Sequence, residues 1–177
     1  IDIDGNGTLD YAYAGDTFGN LFRFDLTSDN FHQWSVAKIF KAEYEDSSGF
    51  RTGQPITVRP IVTFHPCEDH LLVLLATDSY IRNLDRTDTS IQSIYGIWDR
   101  LTSEVISIDD LVQQRYINKL DPEFGYVRVL TDNEVDYSSV GNKKGWYNHL
   151  DSVPVGELQG ISNAEFPGEK AIRNIQL

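Results

Sequence analysis

"IDIDGNGTLDYAYAGD", from Ile1 to Asp16, opens the chain. Asp2, Asp4 and Asn6 fall on alternate positions, Gly7 and Thr8 follow, and Asp10 comes after Leu9. The text then switches register. "YAYAG" (Tyr11 to Gly15) and "LFRFDL" (Leu21 to Leu26) alternate in the period-2 manner of half-buried strands. "DTFGN" between them supplies the Asp, Gly and Asn of a tight turn. The stretch therefore predicts an oxygen-rich loop running straight into a β-hairpin over Asp10 to Leu26.

The same grammar continues outward. "WSVAKIFKA" (Trp34 to Ala42), "HLLVLLATD" (His70 to Asp78), "QSIYGIWD" (Gln92 to Asp99), "GYVRVLTD" (Gly125 to Asp132) and "GWYNHL" (Gly145 to Leu150) read as strands. "QPITVRPIVTFH" (Gln54 to His65) is extended, and Pro55 and Pro60 keep it off a central ladder position. "EYEDSSGFRTG" reads as a polar loop. In "SIDDLVQQRYI", Ser107 and Asp110 imitate a capping box, but the apolar spacing is poor for a long helix, so a short turn or strand is expected. From about Val153 the text is loop-like, and the closing "EKAIRNIQL" reads as a strand.

Many short strands with turn chemistry between them predict an all-β sandwich, barrel or propeller. A faint echo favours a propeller: "AGDTFGNLFRFD", "ATDSYIRNLD" and "SIYGIWD" each end in aromatic or apolar residues followed by Asp. With 177 residues, 40% of them hydrophobic, the chain can bury a real core. It contains no Met, and we expect residues 1–177 to be a segment of one propeller domain, truncated at both ends.

Formal net charge is -12, spread over the whole length. That disfavours a nucleic-acid partner, which needs clustered Lys and Arg, and suits a cation. No apolar run approaches a membrane span. The single cysteine, Cys67, leaves no internal disulfide framework.

With Asp2 counted as loop position 1, Asp4 is position 3, Asn6 position 5, Gly7 position 6 and Asp10 position 9. This D-x-D-x-N-G run matches the first half of a calcium loop. Ca²⁺ takes about 6–8 oxygens, and a tight loop points every second side chain at one centre. Gly7 permits the turn, Thr8 would offer its carbonyl, and Asp10 would close the loop. Tyr13 stands where an EF-hand needs its Glu, and a strand follows instead of a helix. Such a loop is expected to bind in the range of about 10⁻⁶ to 10⁻³ M. A solvated turn is the plainer alternative, since Asp, Asn and Gly favour turns anyway. A turn, however, does not need acceptors in strict alternation around a glycine. Asn6-Gly7-Thr8 is also a glycosylation sequon.

Other constellations offer less. His65, Cys67 and His70 form an H-x-C-x-x-H cluster, but no partner pair completes a zinc site, and a surface loop is expected. No Gly-x-Ser-x-Gly elbow or Walker loop appears. Trp34, Trp98 and Trp146 fall in predicted strands, where packing is their expected role.

The loop followed by "DYAYAGDTFGNLFRFDL" resembles the C-terminal β-propeller domain of the type IV pilus tip-associated adhesin family (PilY/PilC). "QPITVRPIVTFHP" resembles its Gln-Pro-Ile-Thr segment, and "QSIYGIWD" its Tyr-Gly-Ile-Trp-Asp stretch. "DDLVQQ" and "KGWYNHL" also fit, and "PGEKAI" resembles its Gly-Glu-Arg-Val segment. Ala76-Thr77-Asp78 departs from the family's Gly-Thr-Gly, and Lys170 replaces the Arg of its closing motif. The resemblance covers essentially the whole chain.

It implies an exported protein of the cell surface, pilus tip or outer membrane, acting by binding rather than as an enzyme. It implies roles in pilus assembly, twitching motility and attachment. Pilus components (minor pilins) and a host-cell surface are the implied partners. It also implies a Ca²⁺ ion held by Asp2, Asp4, Asn6, the Thr8 carbonyl and Asp10, with Asn6 where the pattern commonly has Asp. Two rival readings stand beside it. One is an integrin-like calcium-stabilised adhesion propeller, which a second acidic loop would favour. The other is a quinoprotein dehydrogenase-like fragment.

Overall fold

The alternation of residues 11–26 becomes an antiparallel hairpin. β1 (Tyr11–Gly15) pairs with β2 (Asn20–Asp25), placing Tyr13 opposite Arg23 and Ala14 opposite Phe22. Gly19 takes the turn at φ +85°, a conformation open mainly to glycine. β3 (Ser35–Lys41) completes a three-stranded sheet in the order β1-β2-β3. Its register shifts between Leu21 and Phe22, which leaves Ile39 as an extra residue opposite β2. The bulge explains how two consecutive side chains, Ile39 and Phe40, are both buried. Residues 1–150 apart from 80, 82 and 124 are described in this computed structural model. The predicted loop beyond Val153, the strand-like "EKAIRNIQL" and the "PGEKAI" segment with Lys170 lie outside the described residues.

The second sheet has five strands in the order β6-β7-β8-β12-β9. These are β6 (Ile61–Phe64), β7 (Leu71–Ala76), β8 (Ser93–Asp99), β12 (Gly145–His149) and β9 (Val112–Gln114). The first four run antiparallel, and β9 joins β12 in parallel. The prolines at 55 and 60 do keep their segment at the margin, since β6 is an edge strand. "LLVLLA" is a continuous apolar run because β7 lies inside the sheet. The remaining strands form two small hairpins, β4 (Glu43–Glu45) with β5 (Arg51–Gly53) and β10 (Tyr116–Asp121) with β11 (Gly125–Leu130).

Leu21, Ile39 and Phe40 from the first sheet meet Val73, Leu75, Tyr95 and Ile97 from the second in one core. The Phe40 and Tyr95 rings pack edge to face, 5.0 Å between centroids. Each such side chain, fully withdrawn from water, contributes about 1.5–3 kcal/mol. The chain between the sheets is stitched to both. Gln54 N–H donates to Ala42 O, Ile56 N–H to Asp16 O, and Pro55 O accepts from Asp78 N–H.

Three expectations need correction. "EYEDSSGFRTG" is the β4–β5 hairpin rather than a loop, closed by Asp46, whose Oδ1 accepts from the N–H groups of Ser48 and Phe50. Trp34 lies outside β3 and is 51% exposed, its indole N–H bonded to Ser28 O, whereas Trp98 is buried as expected. In the echo "ATDSYIRNLD", residues Asn83–Arg86 form a 3₁₀ turn, so its Asp does not end a strand as Asp25 and Asp99 do. The "SIDD" segment is a 3₁₀ turn over Ile108–Asp110 leading into β9, and the Asp110 carboxylate accepts from the Ser107 N–H and hydroxyl. Among the described residues no α-helix forms, and no helix is long and apolar enough to cross a membrane.

Candidate metal centre

Residues 1–10 wind into a loop whose turns are made by its own carboxylates. Asp2 accepts from the N–H groups of Gly5 at 2.7 Å and Gly7 at 2.8 Å. Both glycines have positive φ, 75° and 87°, which lets their N–H groups point inward. Asp4 accepts from Asn6 N–H and from the Asn6 amide. Asn6 Oδ1 accepts from the N–H and hydroxyl of Thr8. Asp10 Oδ2 accepts from Ile3 N–H at 2.7 Å.

The loop is fixed to the fold at its end. Asp10 N–H donates to Ile1 O, and Asp10 O accepts from Leu26 N–H at 2.8 Å. Asp10 is buried while Asp4 is exposed. The N–H of Gly7, with those of Gly5 and Asn6 and the neighbouring Asp4, holds the Asp2 carboxyl below the usual carboxylate range despite some desolvation.

Asp2, Asp4 and Asp10 each bring a carboxylate oxygen within 4.8 Å of the others. Among the described residues this is the one group of three or more acidic, His or Cys side chains so placed. Of the other two predicted ligands, Asn6 has both lone pairs of its Oδ1 engaged by Thr8. Thr8 follows in the same turn. The donor set is therefore three hard, anionic oxygens, the chemistry that suits Ca²⁺ or Mg²⁺ rather than a soft metal.

The H-x-C-x-x-H cluster forms no such group. His65 Nδ1 accepts from the N–H groups of Cys67 and Glu68 and so caps a surface turn, with Cys67 exposed. Sequence reasoning missed a second concentration of polar side chains, around His149. Its members come from segments about a hundred residues apart, so no local spacing announced them.

Two mainly antiparallel sheets sharing one core, with an acidic loop leading into the first hairpin, define an all-β protein with a candidate cation centre. A family model described as the PilY1 beta-propeller domain matches residues 1–116. The chain belongs to the PilY1 β-propeller family. The type IV pilus biogenesis factor PilY1 of Pseudomonas aeruginosa strain PAO1 is 33% identical over 193 residues, spanning 90% of this chain and 16% of that protein. A PilY1 homolog of Xylella fastidiosa strain Temecula1 is 29% identical over 160 residues, spanning 85% of this chain and 10% of that protein. The crystal structure of the Pseudomonas aeruginosa PilY1 C-terminal domain matches with a TM-score of 0.68 at 28% identity, over 85% of this chain and 37% of that one. The chain thus spans a minor part of the length of the relatives it matches.

Proposed function

We propose that this chain is the calcium-binding β-propeller segment of an exported type IV pilus biogenesis and adhesin protein. It acts by binding rather than by catalysis, at the cell surface or pilus tip, with pilus components such as minor pilins as partners and a host-cell surface as a further one. It supports pilus assembly, twitching motility and attachment. The match to the PilY1 β-propeller family supports the pilus reading over the integrin-like and quinoprotein alternatives. The observation that carries the metal reading is the convergence of Asp2, Asp4 and Asp10 at the start of β1.

Three carboxylates at that spacing repel one another. When bound, Ca²⁺ supplies the positive charge that offsets this repulsion. Asp2, Asp4 and Asp10 are the primary ligands, with Thr8 O, and Asn6 once its Oδ1 is released from Thr8, completing the set named from the sequence. Asp10 does the coupling. Its side chain belongs to the loop, and its carbonyl is bonded to Leu26 at the far end of the hairpin. Ion binding is therefore linked to the order of β1 and β2, and anything that binds only the folded state stabilises it.

The test is a calorimetric titration of the purified protein with Ca²⁺ and with Mg²⁺, together with the Asp2→Asn and Asp4→Asn variants. Surface pili are counted in cells carrying each form. One Ca²⁺ site in the range of about 10⁻⁶ to 10⁻³ M, weakened in both variants along with piliation, supports the reading. A flat titration of folded protein refutes the metal site. Unchanged piliation with a lost site refutes its link to the pilus.

A further inference from the structure

A cleft of about 490 Å³ lies apart from the acidic loop, where β4, the Ile108–Asp110 turn, β9 and β12 come together. Tyr44 and Tyr147 wall it, Glu45, Asp109 and Gln113 border it, and His149 lies at its base. His149 is 8% exposed, so the base is buried, while Glu45 and Asp109 are open to solvent.

The network beneath fixes what His149 offers. Gln54 Nε2 donates to Ile91 O at 2.7 Å and to Ser93 Oγ at 2.8 Å. Ser93 Oγ lies 2.6 Å from His149 Nδ1. We assign the Ser93 hydroxyl, which accepts from Gln54, as the donor to Nδ1. Nδ1 is then the acceptor, and the imidazole proton sits on Nε2. Burial holds the ring neutral, with its pKa lowered to about 4. Gln113 Oε1 accepts twice from Arg115, at 3.0 and 2.8 Å, which leaves the Gln113 amide as a donor.

Arg51 decides the charge of the ligand. Its Nε lies 2.6 Å from Glu45, and its two terminal nitrogens each lie 2.9 Å from an oxygen of Asp109. A cationic ligand would find Glu45 and Asp109 already paired with Arg51 and would face an N–H donor. An anionic ligand would meet two carboxylates. A neutral ligand with several hydroxyls can donate to the carboxylates and accept from His149 and Gln113. Its C–H faces match the tyrosine rings.

We propose that this cleft is a binding site for a neutral saccharide, with a pyranose ring against Tyr44 or Tyr147 and its hydroxyls paired to His149, Gln113 and Asp109. The site is independent of the acidic loop.

The test is saturation-transfer NMR on the purified protein with D-glucose, D-galactose, D-mannose and N-acetyl-D-glucosamine. Butylammonium and acetate serve as charged comparisons. Expected is transfer to at least one sugar, weakened about tenfold by loss of a good polar contact in Gln113→Ala and weakened also by loss of the ring face in Tyr44→Ala. Cys67→Ser, on an exposed turn outside both sites, should leave it unchanged. If Tyr44→Ala does not fold, Gln113→Ala at the sheet edge carries the test alone. The proposal is overturned if no sugar shows transfer, if transfer survives in every folded cleft variant, or if only a charged comparison binds.

Discussion

The Arg23 guanidinium on β2 lies 2.6 Å from the Asp99 carboxylate at the end of β8, and both side chains are buried. The pair joins the first sheet to the second. Arg23 also donates to Thr102 O, and Asp99 accepts from Tyr13 Oη and Leu101 N–H. Removing one partner strands a charge in the interior. Arg23→Met is expected to cost about 3–5 kcal/mol, read as a lowered urea midpoint. Tyr13→Phe should cost less, about 1.5–3 kcal/mol for a bond to a charged group. A loss below about 1 kcal/mol in Arg23→Met would show that the pair behaves like a surface contact.

Gly96 is needed for what lies over it. A β-carbon there would come 2.5 Å from Trp146 Nε1 and 2.6 Å from Cε2. Gly96→Ala therefore forces the indole or the strand to move, at about 1–3 kcal/mol. The measurements are the melting midpoint and the near-ultraviolet dichroism of the tryptophans. Both should change together. An unchanged spectrum with an unchanged midpoint would mean that Trp146 yields freely.

His149 makes stability depend on pH. Its folded pKa is about 4 against an ordinary 6.5, so the unfolded chain binds its proton first as pH falls. The stabilisation is fully present above pH 6.5 and is lost progressively toward pH 4. Its full size is about 3 kcal/mol. His65, lowered chiefly by burial, acts in the same direction. The lowered carboxyls of Asp2, Asp46 and Asp136 act at lower pH, through loss of hydrogen bonds to their ionised forms. His149→Gln is expected to make the fall of the urea midpoint between pH 6.5 and 4 shallower, with the His65 share remaining. A parallel fall in parent and variant would contradict the assignment.

Much of this architecture was legible because it is local. Residues 10–26 carry both the alternation and the turn residues, and they form the hairpin as read. Asp2, Asp4 and Asp10 were legible for the same reason, since a loop brings such spacings to one centre without help from elsewhere. The β4–β5 hairpin was not legible. Its strands are three residues each and mostly polar or exposed, so no apolar alternation marks them. The parallel pairing of β9 with β12 was equally hidden, because it joins Val112 to Trp146 across an intervening hairpin. Trp34 misled for a different reason. Its strand-like context is real, but β3 begins one residue later and the indole folds back onto Ser28. The His149 cleft depends on Tyr44, Asp109 and Tyr147 meeting in space, which only the tertiary fold supplies.

The central claim is that the acidic loop holds a cation and thereby orders the first hairpin. Its most direct test is a thermal melt of the purified protein with Ca²⁺ at about a hundred times its measured dissociation constant and with chelator, repeated on Asp4→Ala. At about a hundred times the dissociation constant, binding adds about 2.7 kcal/mol, so the parent midpoint should rise by several degrees while the variant's stays still. A folded parent whose midpoint does not move between chelator and Ca²⁺ would contradict the account and leave residues 1–10 as a turn.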